Sequence, residues 1–398
     1  MKQIFEQVLS IISNLKLLID HEQTAKSTNI NNLRDIDLTI TEINDLFYHS
    51  GKLAFQKQYD ILHLTEPKDY FNEMKQVIAL WENSISVRNP APNNVDEEFW
   101  DIYEYFKYVD KNVIYSNTIE HFKSLPEALK NDFLTLPKRY TFLKNKIDYG
   151  VNDFSLIEEH ISLMSSEIED YKWLYDHLAD YRSKKTLNGI IKYWYTFDVN
   201  KMHKLCETLY SDYYDLDILK CDSKEVFVDL GAFIGDSVND FINTYGDYKK
   251  IYAYEVTPRT FEVLKNNLAE FKDTLPIQKG VGKSKSIMYI TDSGNGAGNS
   301  ISSEGTIAVP VVSLDEDISE PISTIKMDIE GAEQDAILGS IKHIKNEKPK
   351  LLVSAYHIPS DIFKIPLLIN DIRDDYTFYL RFNGHGCLWP CDYVLFAL

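Results

Sequence analysis

Several groups of residues in this chain have the types and spacing that chemistry needs. The first is VFVDLGAFIGDS, residues 226–237, where an apolar run ends in Asp229, turns through Gly231 and Gly235 and enters a helical pattern. Glycines let a backbone approach a ligand closely, and a helix N-terminus offers unpaired N–H groups. A dinucleotide site would carry G-x-G-x-x-G here to seat a pyrophosphate. This loop reads G-A-F-I-G instead, with a carboxylate just before it. An acid there opposes a pyrophosphate and suits a cation. S-adenosylmethionine fits, because it has no phosphate and carries a sulfonium and an ammonium group. Glu255 ends the next apolar run, where an acid accepts hydrogen bonds from ribose hydroxyls. The alternative is that Asp229 and Glu255 only cap the helices that follow them.

A second constellation lies in STIKMDIEGAE, residues 323–333. Read as a strand, it puts Lys326, Asp328 and Glu330 on one face and Ile325, Met327 and Ile329 on the other. Charges on a central strand are costly unless they line a cleft or pair with each other, as Lys326–Asp328 or Lys326–Glu330 would. His357 ends the following strand, in SAYH. Methyl transfer is an in-line displacement in which the acceptor oxygen must be oriented and lose its proton. Asp328 or His357 could take that proton. Asp328, Glu330 and Glu333 could alternatively hold a divalent ion, Mg or Mn, and the sequence does not decide for a metal. Glu333 could equally serve as a helix cap.

These residues need a scaffold. After residue 223, short runs rich in Val, Ile, Phe and Tyr alternate with amphipathic segments, which predicts a doubly wound α/β sheet with parallel strands at its centre. EVFVDL, IYAYE, LPIQKGVG, STIKMDIEG, KLLVSAYH, YTFYLRF and YVLFAL read as strands. DSVNDFINTYG, RTFEVLKNNLAEF, AEQDAILGSIKHI and DIFKIPLLINDI read as helices. SIMYIT and TIAVPVVSL flank a Gly/Ser/Asn loop over 292–302, either an ordinary hairpin or a lid. The preceding residues read as helical. Ile4, Val8, Ile11, Leu15 and Leu18 share one helix face, and Ile157, Ile161, Met164, Ile168, Tyr171, Tyr175 and Leu178 form a longer stripe. That stripe packs within a helical domain or, less favourably, forms a coiled-coil seam between copies. The expected division is a helical domain over 1–165, a helical lead-in over 166–220 and the α/β domain over 221–398.

VDLGAFIGDS, IYAYEVTP, VVSLDEDI and above all IKMDIEGAEQDAILGS followed by SAYH resemble the FkbM-type methyltransferases over about 225–397. The resemblance implies a class I S-adenosylmethionine-dependent methyltransferase fold, Rossmann-like, preceded here by an all-α region. It implies transfer to an oxygen, often on sugars or natural products. By position, Asp229, Gly231, Ala232, Gly235, Asp236 and Ser237 would form the methionine-side loop. Glu255 would hold the ribose, and Gly280 and Val281 would border the adenine. The chain departs from the commoner pattern at Val256, where related proteins usually have Pro. Asp328, Glu330 and His357 are the catalytic candidates.

Composition limits the other classes. The chain has 398 residues, a hydrophobic content of 44% and a formal net charge of −19, spread over both halves. Such a surface repels phosphate backbones, so nucleic acid is not the expected partner. Cys206, Cys221, Cys387 and Cys391 make neither a zinc pattern nor a disulfide framework, and the expectation is reduced thiols in the cytoplasm. MKQIFEQVLSIISNLKLLID lacks the uncharged core of a signal peptide, and no apolar run is long enough to span a bilayer. The leading expectation is an O-methyltransferase acting on a sugar hydroxyl of a glycan or nucleotide-sugar precursor. The alternatives are a polyketide, lipid or peptide acceptor, or a non-enzymatic helical interaction protein on a methyltransferase-like scaffold. The N-terminal helices could also join copies into a homo-oligomer.

Overall fold

The computed structural model describes residues 94–139, 154–290, 307–384 and 390–398. The chain divides into two compact units, Met1–Val113 and Ile114–Leu398. In the first, helix α1 (Asn94–Tyr108) buries Val95, Phe99, Ile102, Tyr103 and Phe106, which recur at helical spacing. The stripe from Ile4 to Leu18 lies outside the described residues, as does the 292–302 loop.

The second unit takes in most of α2 (Lys111–Ser124) and then α3 (Glu127–Arg139), α4 (Ser155–Ser166), α5 (Ile168–His177), α6 (Tyr181–Thr196) and α7 (Val199–His203). Phe122 gathers Phe133, Phe154 and Phe197 around it at ring separations of 5.1, 5.4 and 5.1 Å. The stripe from Ile157 to Leu178 is broken at Glu167, which caps α4 and starts α5. Its residues are buried within this unit, so it is interior packing and not a seam between copies. The boundary expected at residue 165 falls in the last turn of α4, inside the unit. His160 of α4 stacks on Trp194 of α6 at 3.5 Å, so helices before and after that point share one core.

The sheet that follows has seven strands in the order β3-β2-β1-β7-β8-β10-β9. These are β1 (Val226–Leu230), β2 (Lys250–Tyr254), β3 (Thr274–Ile277), β7 (Thr324–Met327), β8 (Lys350–Ser354), β9 (Phe378–Phe382) and β10 (Tyr393–Ala397). The first five in that order run parallel, and β10 is reversed against both of its neighbours. β1 and β7 are buried throughout, and apart from Asp229, Thr324 and Lys326 their residues are apolar, as expected for central parallel strands. Helix α8 (Asp236–Tyr245) packs Phe241 onto Phe227 of β1 at 4.5 Å. The remaining described helices of this part of the chain are α9 (Pro258–Asn267), α10 (Leu314–Asp317), α11 (Glu333–Leu338), α12 (Ile341–Glu347) and α13 (Asp361–Ile372).

The lead-in is bolted to the sheet. Ser183 of α6 accepts from the backbone N–H of Leu380 in β9 at 2.9 Å. The buried Arg381 guanidinium donates to Asp215 at 2.6 Å and to Asp180 at 2.7 Å. Arg381 is therefore a structural tie.

Two sequence expectations change here. LPIQKGVG is not one strand: β3 belongs to the large sheet, while β4 (Gly280–Val281) joins β6 (Ile307–Val312) and β5 (Ser286–Ile290) in a separate three-stranded sheet. AEQDAILGSIKHI is not one helix. A Cβ at Gly339 would lie 2.1 Å from the carbonyl oxygen of Gly282, and the chain breaks there into α11 and α12. Among the described residues no helix is long and apolar enough to cross a membrane. Among the described residues Cys206, Cys221 and Cys391 form no disulfide, and Cys387 lies outside the described residues.

Candidate active site

Strand order places the site. From β1 the chain passes to β2 on one side, while β7 lies on the other, so a crevice opens at the C-terminal ends of β1 and β7. The register sets Asp229 beside Lys326. Their charged groups meet at 3.0 Å, both buried. Lys326 also donates to the carbonyl oxygen of Gly231 at 2.8 Å, and Ser237 donates to Asp229 at 2.5 Å. Burial opposes the charge on Lys326, but the carboxylates of Asp229 and Asp328 outweigh it and raise the lysine pKa. Asp229 thus braces the loop from beneath. The ion pair expected within the β7 segment forms across strands instead.

The loop itself is a tight turn. Gly231 has φ +78°, and a Cβ there would lie 1.9 Å from the carbonyl oxygen of Asp328. Only glycine lets the loop after β1 lie against the end of β7. The N–H groups of Gly231 and Ala232 both donate to Tyr254 at the end of β2. Gly235, at φ +89°, starts α8, so Asp236 is the first helical residue and is exposed. Glu255 follows β2 and is buried. Its Oε1 accepts from the N–H of Thr257 at 2.7 Å, which opens α9, and it also accepts from the Phe233 N–H in the glycine loop. The capping reading of Glu255 therefore holds, and the same carboxylate faces the loop. Burial raises its pKa. Gly280 packs near Val256, which sets Gly280 and Val281 next along this wall.

On the other side, β7 ends at Met327, so Asp328 lies just beyond the strand. Glu330 has φ +57° and Gly331 φ +100°, a left-handed turn that ends the strand alternation. The single charged face expected for Lys326, Asp328 and Glu330 is thus not formed by a strand. His357 lies beyond β8, past its last residue Ser354. The turn nonetheless converges on it. His357 Nε2 stands 3.4 Å from Asp328 Oδ1 and 3.8 Å from Glu330 Oε2, and Nδ1 stands 2.9 Å from Glu333 Oε1. Glu333 also accepts from the N–H of Ile329 at 2.9 Å, closing the turn. Burial opposes the imidazolium, but Glu333 foremost, then Asp328 and Glu330, hold it charged and raise its pKa to about 9. Burial likewise opposes ionisation of Asp328, but Lys326 and His357 keep its pKa below the ordinary value.

Tyr213 was not legible as a site residue. Its hydroxyl donates to Asp328 Oδ2 at 2.8 Å and lies 3.1 Å from Ser354 Oγ, while its ring lies 5.1 Å from Lys326 Nζ. Nothing in SDYYDLD distinguishes it among 26 tyrosines.

Ligand atoms of Asp328, Glu333 and His357 lie within 4.8 Å of one another. Each imidazole nitrogen already faces a carboxylate, so a proton on each satisfies the arrangement and supplies its positive charge.

The histidine makes stability depend on pH. Its ordinary pKa is 6.5 and its folded value about 9, so the folded state holds a proton that the unfolded chain releases. That contribution is complete below pH 6.5 and fades as pH rises through 9. Melting temperature is expected to fall across that window in the native protein and less in a His357→Gln variant. Parallel curves would show that the imidazole is not charged in the fold.

Residues 229–381 match the family described as the methyltransferase FkbM domain. This segment is an FkbM methyltransferase domain. Among solved structures, the FkbM methyltransferase of Methylobacillus flagellatus KT is 22% identical, with 68% of this chain and 70% of that chain covered and a TM-score of 0.53. At that identity the likeness speaks for the fold. Aeropyrum pernix fibrillarin, solved with natively bound S-adenosyl-L-methionine, is 13% identical over 46% of this chain and 70% of its own, with a TM-score of 0.30. Fibrillarin of Methanococcus jannaschii, a pre-rRNA processing protein, is 16% identical over 45% of this chain and 68% of its own, with a TM-score of 0.31. The comparison with curated proteins gives no match. The FkbM domain contains Asp229, Glu255, Asp328, Glu333 and His357, while Tyr213 precedes it.

Proposed function

We propose that the FkbM domain transfers a methyl group from S-adenosylmethionine to an oxygen, the hydroxyl of a sugar in a glycan or nucleotide-sugar precursor, in the cytoplasm. The observation that carries this reading is the shared crevice. A glycine loop tied to a buried ion pair lies directly against a carboxylate–imidazolium cluster, through the contact of Gly231 with the backbone of Asp328. S-adenosylmethionine supplies an electrophilic methyl group when bound. The loop residues Gly231, Ala232 and Gly235 provide close backbone approach, Asp229 and Ser237 hold the loop, and Glu255 accepts from the ribose. Asp328 orients the acceptor hydroxyl and takes its proton. His357, proton-loaded at neutral pH, keeps Asp328 ionised and is not the base in that state.

Calorimetry with S-adenosylmethionine, S-adenosylhomocysteine and NAD tests the donor. Micromolar binding of the first two and none of NAD is expected. Absence of heat with both sulfur compounds, at protein concentrations well above that range, would sink the reading. Glu255→Ala is expected to weaken donor binding about 10- to 100-fold, since hydrogen bonds to a charged group contribute roughly 1.5–3 kcal/mol. Unchanged affinity in a folded variant would leave Glu255 as only the turn that opens α9.

A further inference from the structure

We propose that Tyr213 is a positioning residue for methyl transfer, holding the Asp328 carboxylate between its own hydroxyl and His357. This rests on the reading of Asp328 as the group that receives the acceptor proton. Tyr213 lies before β1 and outside the matched residues 229–381, so the FkbM domain is completed by a side chain from the segment that precedes it.

The geometry is specific. Asp328 follows the last residue of β7, and its N–H still donates to the Leu230 carbonyl at the end of β1 at 3.0 Å, so its backbone is fixed while its carboxylate depends on side-chain partners. One carboxylate oxygen takes the Tyr213 hydroxyl at 2.8 Å and the other faces His357 Nε2 at 3.4 Å. Ser354 meets the Tyr213 oxygen at 3.1 Å from the end of β8. The ring lies over the Lys326 ammonium, which is paired with Asp229 under the glycine loop. One side chain therefore touches both halves of the crevice. Burial, then the Asp328 charge, push the phenol pKa well above its ordinary value, so Tyr213 acts as a donor throughout the working range. A carboxylate that loses such a donor exerts more of its charge on its remaining partners. For Asp328 these are His357 and Lys326. The groups facing His357 are Asp328 and Glu330 from the turn, Glu333 from α11, Asp361 at the start of α13 and the Tyr356 ring at 4.3 Å.

Tyr213→Phe keeps the ring and deletes the donor. The expected result is unchanged affinity for S-adenosylmethionine and turnover lowered about 10- to 100-fold, as for loss of a hydrogen bond to a charged group. The His357 imidazole pKa, followed by NMR titration, should rise by about half a unit to one unit. The double variant Tyr213→Phe/Asp328→Asn should be no slower than Asp328→Asn, because Tyr213 acts through Asp328. Additive losses in the double variant, an unmoved His357 titration, or equal loss of donor binding would overturn the proposal. If the Phe variant does not fold, Ser354→Ala reads the same contact, with a smaller shift of the His357 pKa in the same direction; no shift there counts against the proposal. The NMR titration needs neither donor nor acceptor. A failed S-adenosylmethionine reading and a failed Tyr213 proposal therefore give different results.

Discussion

An Asp328→Asn protein is expected to fold, bind S-adenosylmethionine with native affinity and turn over about 10²- to 10⁴-fold more slowly, the usual cost of removing a general base. The substitution preserves shape, and an amide oxygen still accepts from Tyr213. Lys326 keeps its partner Asp229 at 3.0 Å, so no buried charge is stranded. His357 keeps Glu333 at 2.9 Å and remains oriented. The loss should therefore appear in the chemical step and hardly at all in melting temperature. Single-turnover rates and thermal melting on the same protein separate the two, and added chelator should change neither. Full turnover would refute the role given to Asp328 and return the proton to His357. In that event the rate should climb with pH toward about 9, as the imidazolium is emptied.

Lys326→Met is expected to have the opposite signature. It leaves the fully buried Asp229 without its cation, and breaking a buried pair from one side costs about 3–5 kcal/mol. For a unit of this size that lowers the melting temperature by roughly 10 °C. Donor binding should fall as well, because the same ammonium ties down the Gly231 carbonyl. Adding Asp229→Asn should restore most of the stability, since a neutral amide tolerates burial better than an unpaired carboxylate. It should not restore the loop contact. A singly substituted protein as stable as the native one would mean that Asp229 is not charged in the fold.

Much of this was legible from residue order. The strands of the large sheet stand out because central parallel strands are apolar on both faces, and the glycine loop because Gly231 and Gly235 occupy positions that only glycine tolerates well. What stayed hidden depends on contacts remote in sequence. The partner of Lys326 is not its neighbour Asp328 but Asp229, and only the strand register reveals that. The end of β7 is not legible in the sequence, because alternation of side chains continues on paper through Glu330, where the backbone turns left-handed. The split of β3 from β4 was hidden because LPIQKGVG is equally strand-like on both sides of the break. Tyr213 carried no local signal, since its role is set by where a loop returns over the crevice.

The tie between Lys326 and the Gly231 carbonyl spans 95 residues. A growing polypeptide that has emerged only as far as β6 contains the whole glycine loop and Glu255, yet neither the lysine nor the Asp328 backbone against which the loop rests. Closing so long an interval is slow relative to local helix formation. On the proposed reading of the crevice, competence to hold a donor is therefore acquired late in biogenesis, when β7 slots between β1 and β8.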